Sequence, residues 1–358
     1  VNKVSRDRWN GSTLTFNKKI LDLPATPGPN HSGGRLAFGP DNNLYVFSGD
    51  LNRRERTVNN AASQTVGTAG VVLRLTSAGK PVATNPFYSE ANVGTPNEPL
   101  NSIYAYGIRN SFGMDFDPVS GDLWMSENGP DRFDEINRIR PGANSGWRTL
   151  IGPASRNTAG LTDTLVSLGD AAYYADPRFA WAKPVAPTEV FFNPNARLGA
   201  QYKNDLFVGD TKTGTIFNFN LPGSRKSLLL SGGLADGVAD NTADPLAEQD
   251  SLIFGEGFGV VTDLFAGPGG MYVVSYGNGA LYRITTAGSG PQGLRLASLS
   301  SVPIPEPGAA GCVVFAAALL VRRRRKRPAS TDAVAMEGRL VSRPAWGRRN
   351  VRGRTAPL

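Results

Sequence analysis

A single histidine stands among the 358 residues, His31, in the glycine-rich turn Asn30-His31-Ser32-Gly33-Gly34-Arg35. Imidazole titrates nearest neutral pH, so His31 is the natural general base of a proton-abstracting site; a purely structural histidine is the alternative. Asp50, in Ser48-Gly49-Asp50, closes the apolar run that follows. A carboxylate there would hold the imidazole in one tautomer, although Gly-Asp is also an ordinary turn. The densest cluster comes next: Tyr104-Ala105-Tyr106-Gly107-Ile108-Arg109-Asn110-Ser111-Phe112-Gly113, then Glu127-Asn128-Gly129-Pro130-Asp131. Arg109 precedes an alternating run as His31 does, which would set a fixed cation and a base facing one cavity, with Asn110 adding an amide donor and acceptor. The turn Asn128-Gly129-Pro130 would present backbone carbonyls to the same mouth, and a hard cation such as Ca²⁺ prefers such oxygens. Asp131, Asp134 and Glu135 read first as a solvated acidic loop and second as another cation site. One histidine and one cysteine, Cys312, exclude a zinc-type histidine cluster, a cysteine metal site and any intrachain disulfide.

Positioning these residues requires a scaffold that brings several strand ends together. The phrase at residues 34–46 alternates apolar and polar side chains, turns at Pro40-Asp41-Asn42-Asn43 and enters a second apolar run. It recurs at 113–125, turning at Pro118, and at 262–273, turning at Pro268. Each copy predicts a β-hairpin. A second phrase follows each, at 70–75, 134–139 and 279–284, and the runs 204–210 and 214–219 supply another unit. Two hairpins make a four-stranded antiparallel sheet, so the repeats predict an all-β fold: a β-propeller of four-stranded blades whose entering loops line a central cavity. A β-sandwich is the alternative. Forty-two glycines and 26 prolines suit so many turns. Residues 12–16 and 19–23 are strand-like and read as the remnant of a further unit. With no initiator Met and no signal segment at Val1, blades are expected to be missing upstream.

The formal charge of +8 looks at first like that of a polyanion binder. Residues 322–358 hold 12 Lys/Arg and 2 Asp/Glu, however, which leaves the preceding 321 residues at −2. A folded basic face for nucleic acid is thereby ruled down. The tail is a separate object. Pro303-Ile304-Pro305-Glu306-Pro307 is a stiff breaker, residues 308–321 are uncharged, and 322–327 are an unbroken basic run. Fourteen residues fall short of the ~20 that span a bilayer. The flanking arginines nonetheless favour membrane insertion with the basic end cytoplasmic; a buried strand before a basic tail is the alternative. Residues 1–290 are thus predicted as the propeller, 291–307 as a linker, 308–327 as the membrane segment with its arginine cluster, and 328–358 as a disordered extension.

Taken in order and spacing, His31-Ser-Gly-Gly-Arg-Leu-Ala-Phe, Tyr106-Gly-Ile-Arg-Asn, Glu127-Asn-Gly-Pro, Asp134-Glu-Ile-Asn and Asn144-Ser-Gly-Trp resemble the PQQ-dependent soluble aldose sugar dehydrogenases, the glucose/sorbosone dehydrogenase family. The resemblance runs from about residue 30 to residue 284. It implies a six-bladed propeller with pyrroloquinoline quinone (PQQ) at the mouth of the channel. By this resemblance His31 takes the proton from the anomeric hydroxyl of an aldose while hydride passes to the C5 carbonyl of PQQ, and an external electron acceptor reoxidises the cofactor. Asp50 would orient His31. Arg109 would stabilise charge on the quinone oxygens, and Asn110, Asn128, Trp181 and Lys212 would contact the cofactor. Carbonyls of Gly129 and Pro130 would hold Ca²⁺. The sequence departs from the pattern at Val260-Val261-Thr262-Asp263, where better-known members carry an arginine pair. The tail resembles a PEP-CTERM sorting signal, which implies export to the periplasm or cell surface and an exosortase-type processing enzyme. A non-catalytic cell-surface propeller that binds glycans or proteins is the alternative function.

Overall fold

The structure, a computed structural model, describes residues 2–26, 30–241 and 248–286, with the backbone of Leu294–Leu299. Strands joined by turns and loops build it. They are β1 (Asn2–Trp9), β2 (Leu14–Leu23), β3 (Leu36–Phe38), β4 (Leu44–Ser48), β5 (Val71–Leu75), β6 (Ile103–Tyr106), β7 (Met114–Phe116), β8 (Leu123–Glu127), β9 (Asp134–Ile139), β10 (Ala143–Asn144) and β11 (Tyr173–Tyr174). The chain continues through β12 (Phe179–Trp181), β13 (Pro187–Phe192), β14 (Leu206–Asp210), β15 (Ile216–Phe219), β16 (Val238–Ala239), β17 (Ile253–Gly255), β18 (Val261–Gly267), β19 (Gly270–Ser275), β20 (Ala280–Thr286) and β21 (Leu294–Leu299).

Each repeated phrase folds as the hairpin it predicts. Strands β1 and β2 form a separate two-stranded sheet, so the two strand-like runs near the N-terminus are one bulged strand. The four larger sheets each contain a four-strand antiparallel run: β3-β4-β5-β6, β7-β8-β9-β12, β13-β14-β15-β17 and β18-β19-β20-β21. Two of these sheets exceed the expected four strands. Short parallel strands β10 and β11 extend the first beyond β6, and β16 extends the second beyond β12. Part of the stretch read as a linker, Leu294–Leu299, pairs with β20 as the last strand of its sheet. The predicted membrane segment, arginine cluster and extension lie outside the described residues.

Packing explains why the second strand of each unit reads as an unbroken apolar run. In β4, Leu44 and Val46 pack toward Val4 and Leu23 of the N-terminal hairpin, while Tyr45 and Phe47 pack toward Met114 and Met125 of the next sheet. In β14, Leu206 and Val208 join Trp124 and Phe192, while Phe207 joins Val261 and Val273. A strand buried on both faces has no solvent side to mark with polar residues. Each sheet therefore shares a core with its neighbour, and the first strands meet along a common line: β3 packs on β7, and β13 packs on both β7 and β18. In an antiparallel hairpin the start of the first strand and the end of the second lie at one end. That end gathers the loops before β3, β7 and β13 and those after β4, β8 and β14.

Candidate active site

Backbone constraints bring His31 and Asp50 together. His31 lies in a left-handed conformation (φ 56°) in the loop before β3. A Cβ on Gly49 would stand 2.1 Å from the His31 carbonyl, so glycine there lets the loop lie directly on the end of β4. His31 Nδ1 then meets Asp50 Oδ1 at 2.6 Å, with 16% of the histidine side chain exposed and none of the aspartate. Burial alone would raise the Asp50 carboxyl, yet hydrogen bonds from His31, the Asn52 N–H and Trp147 outweigh it and hold the group below its ordinary value. An ionised carboxylate only accepts, so Nδ1 carries the proton, and in the neutral imidazole the lone pair is then on Nε2.

The segment 107–110 stitches this corner to the next sheet. The Asp50 N–H donates to the Arg109 carbonyl (2.8 Å), and the Asn128 N–H donates to the Asn110 carbonyl (2.8 Å). Arg109 donates from its backbone to Glu127 Oε1 (2.7 Å) and from Nη1 to the Asn128 carbonyl (2.8 Å). Burial pulls its guanidinium down from the usual arginine value, opposed by the charges of Asp50, Glu127 and Asp134. Asn110 and Asn128 are both buried, and the side-chain oxygen of each lacks a hydrogen-bond partner. Each orphaned amide oxygen calls for a partner, an ordered water or a bound polar group.

The loop carrying Gly129 and Pro130 is shaped by Asp134. Its carboxylate accepts from the Gly129 N–H (2.9 Å) and the Ala186 N–H (2.6 Å). The solvated-loop reading holds for Asp131, which is exposed, and fails for Asp134 and Glu135, which are buried. Both carboxylates are spent on backbone donors, since Glu135 accepts from the Gly152 N–H (2.5 Å) as well as from Asn137 (2.8 Å). Among the described residues no group of three or more His, Cys, Asp or Glu is gathered for a metal. Lys212 is exposed after β14 and donates Nζ to the Pro184 carbonyl (2.6 Å); burial raises the Asp134 carboxyl, and backbone hydrogen bonds and the charge of Lys212 oppose that rise.

Trp181 is elsewhere. It sits on β12, the fourth strand of its run, with 1% of its surface exposed, and packs edge-on to Phe179 (4.8 Å) and against Phe217 (5.2 Å). A ring sealed in the core has no face to lay over a cofactor, and the expectation for Trp181 is corrected accordingly. The tryptophan beside Asp50 is Trp147, half-buried, with the guanidinium groups of Arg109 and Arg148 each 5.4 Å from its ring. Neither Trp147 nor Arg148 was assigned a role from sequence. The usable signal was an aromatic residue next to an arginine in the loop that follows a repeated phrase.

Residues 1–283 match the glucose/sorbosone dehydrogenase family. The chain belongs to that family. Aldose sugar dehydrogenase YliI of Escherichia coli is 29% identical over 210 residues, which cover 59% of this chain and 53% of that protein. Quinoprotein glucose dehydrogenase B of Acinetobacter calcoaceticus is 33% identical over 164 residues, covering 42% and 32%. Among solved structures, a putative oxidoreductase (glucose dehydrogenase) of Thermus thermophilus aligns over 82% of this chain and 74% of its own, with 27% identity and a TM-score of 0.55. This family member spans about half the length of the curated relatives it matches first. The His31–Asp50 pair, Arg109 and the two orphaned amides all lie within the matched residues.

Proposed function

We propose that the chain is the catalytic part of a PQQ- and Ca²⁺-dependent aldose dehydrogenase, and the observation that carries this is the buried, ionised Asp50 holding the only histidine with its Nε2 lone pair available. PQQ, when bound, supplies the two-electron oxidant that accepts hydride from the sugar. Nε2 of His31 removes the proton of the anomeric hydroxyl as the lactone forms, and Asp50 stabilises the resulting imidazolium. Arg109 places a fixed positive charge beside the mouth. Asn110 and Asn128 would contact the cofactor, and Lys212 would offer a cation to its carboxylates. Backbone carbonyls of Gly129 and Pro130 would hold Ca²⁺, a hard cation that prefers such oxygens.

The four antiparallel runs are read as blades of a six-bladed propeller, with further blades outside this sequence. The order in which their first strands pack supports this reading. Export, a membrane segment at 308–327 and exosortase-type processing are proposed on the sequence of the tail alone. An external acceptor would reoxidise the cofactor.

The test is reconstitution with PQQ and Ca²⁺ and measurement of dye reduction by aldoses. Removing a general base costs about 10²–10⁴-fold. His31→Ala is expected to lose activity on that scale while PQQ titration still shows binding. Equal activity in the wild type and His31→Ala would sink the proposal.

A further inference from the structure

Asp50 is held on both of its oxygens. Oδ1 accepts from His31 and from the Asn52 N–H (2.9 Å), and Oδ2 accepts from the Trp147 indole Nε1–H (2.7 Å). Arg148 comes no nearer to Oδ2 than 3.7 Å. The Asp side chain turns easily about its last torsion, which is broad and roughly two-fold. A carboxylate held on one oxygen alone could swing and take the imidazole with it. The indole removes that freedom, and the indole is itself fixed. The Trp147 N–H donates to the Gly107 carbonyl (2.9 Å), its carbonyl accepts from Asn59 Nδ2 (2.8 Å), and two guanidinium groups lie beside its ring.

We propose that Trp147 is a positioning residue: through its indole N–H it fixes the plane of the Asp50 carboxylate, and through Asp50 it fixes the tautomer and ring plane of His31. Its value to catalysis rests on the dehydrogenase reading, but the coupling itself needs neither cofactor nor turnover. One tryptophan thereby ties the base to the loop that carries Arg148, so that base and cations keep one geometry.

His31 is the only histidine, so histidine-selective ¹⁵N labelling of the full chain gives a single imidazole whose two nitrogens report the tautomer directly. Expected in the wild type is the Nδ1–H form with its proton protected from exchange. Trp147→Phe keeps a ring beside the guanidinium groups and deletes the N–H. It is expected to give a mixture of tautomers and at least roughly tenfold faster exchange of the Nδ1 proton, as for a lost hydrogen bond worth about 1.4 kcal/mol. An unchanged tautomer and exchange rate in folded Trp147→Phe overturns the proposal. Should that variant not fold, the wild type decides. The Trp147 indole ¹⁵N–H must shift with pH at the same midpoint as the His31 ring, because both sit on one carboxylate, and an indole indifferent to that titration overturns it equally. In the loaded enzyme Trp147→Phe is expected to lower kcat with KM little changed. The dehydrogenase reading fails separately, by absence of sugar oxidation in the wild type, and leaves both resonances readable.

Discussion

Glu127 and Glu135 sit directly behind the mouth, both fully buried, and share Asn137, whose Nδ2 donates to Glu127 Oε2 (3.1 Å) and to Glu135 Oε2 (2.8 Å). Burial pushes both carboxyls up, Glu127 well above its ordinary range and with the charge of Glu135 adding to it, and Glu135 from 4.5 to about 7. The consequence is a stability that declines with pH. Below about pH 4.5 folded and unfolded chains both carry the Glu135 proton, and burial costs nothing in charge. Between 4.5 and about 7 the unfolded chain has released it while the fold retains it, so each step up in pH favours unfolding; above that range the loss is complete. Glu135→Gln keeps an acceptor for the Gly152 N–H and has no proton to release. It is expected to recover about 1–3 kcal/mol at pH 8 relative to pH 5, read as a melting temperature that stays nearly level where the wild type drops by a few degrees. Parallel decline of the two proteins would count against this account. None of this was legible in the sequence, where Glu135 looked like part of a solvated loop. Sequence shows the charge of a residue and not the backbone donors that loops bring to it, here Gly152 to Glu135 and Ala186 to Asp134.

Among the elements, the repeated hairpins were legible because they combine a turn at Pro and Gly with apolar runs, and because β4, β8 and β14 are buried on both faces. The extensions β10, β11 and β16 were not, since two residues paired by backbone alone carry no periodicity. The same limit explains Trp181. Its loop could be aligned by resemblance, but only the pairing of β12 with β9 shows that the strand is peripheral and its ring turned into the core. Long-range ion pairs between elements are equally silent in sequence. Arg225, buried after β15, grips Asp117 in the β7–β8 turn with two bonds (2.8 and 2.7 Å) and donates to the Asn204 carbonyl (2.6 Å). It joins the second sheet to the third. Arg225→Met leaves the buried Asp117 carboxylate unpaired and is expected to cost about 3–5 kcal/mol in urea unfolding, because removing one partner strands the other charge. Asp117→Asn in that background should return part of it. Losses of equal size in the single and double variants would show that the contact is only packing. Acid should break the same tie. Burial would raise the Asp117 carboxyl, but the Arg225 bond and two others outweigh it, so its contribution is present above pH 3.8 and lost as pH falls through the lowered folded value.

At the scale of the whole molecule the question is what holds four sheets around one line when each shares an apolar core only with its neighbours. Charged residues answer it, one from each unit: Arg35 before β3, Asp115 on β7, Glu189 on β13 and Asp263 on β18. Arg35 reaches Glu189 at 2.5 Å and Asp263 at 3.6 Å, spanning from the first sheet to the third and fourth. All but Asp263 line a cavity of about 350 Å³ together with Phe116, Phe191 and Phe192. Glu189 is 1% exposed, and burial drives its carboxyl well above the ordinary range against the pull of Arg35. The 2.5 Å contact with Arg35 favours the ionised form against burial, and without that cation Glu189 must either stand as a stranded charge or take up a proton. Arg35→Met is therefore expected to destabilise the chain by about 3–5 kcal/mol, more than loss of a surface pair at ~0–1 kcal/mol. Glu189→Gln, which keeps the shape and removes the charge, should cost less alone and should restore stability when added to Arg35→Met. Measured by urea unfolding of the four proteins, the coupling between the two sites should exceed about 1 kcal/mol. Additive losses would mean that Arg35 merely fills space and that the sheets are held by their pairwise cores alone; coupling would make the axial ion pair the tie between units that share no core, and so the support on which the loops at the mouth keep their common geometry.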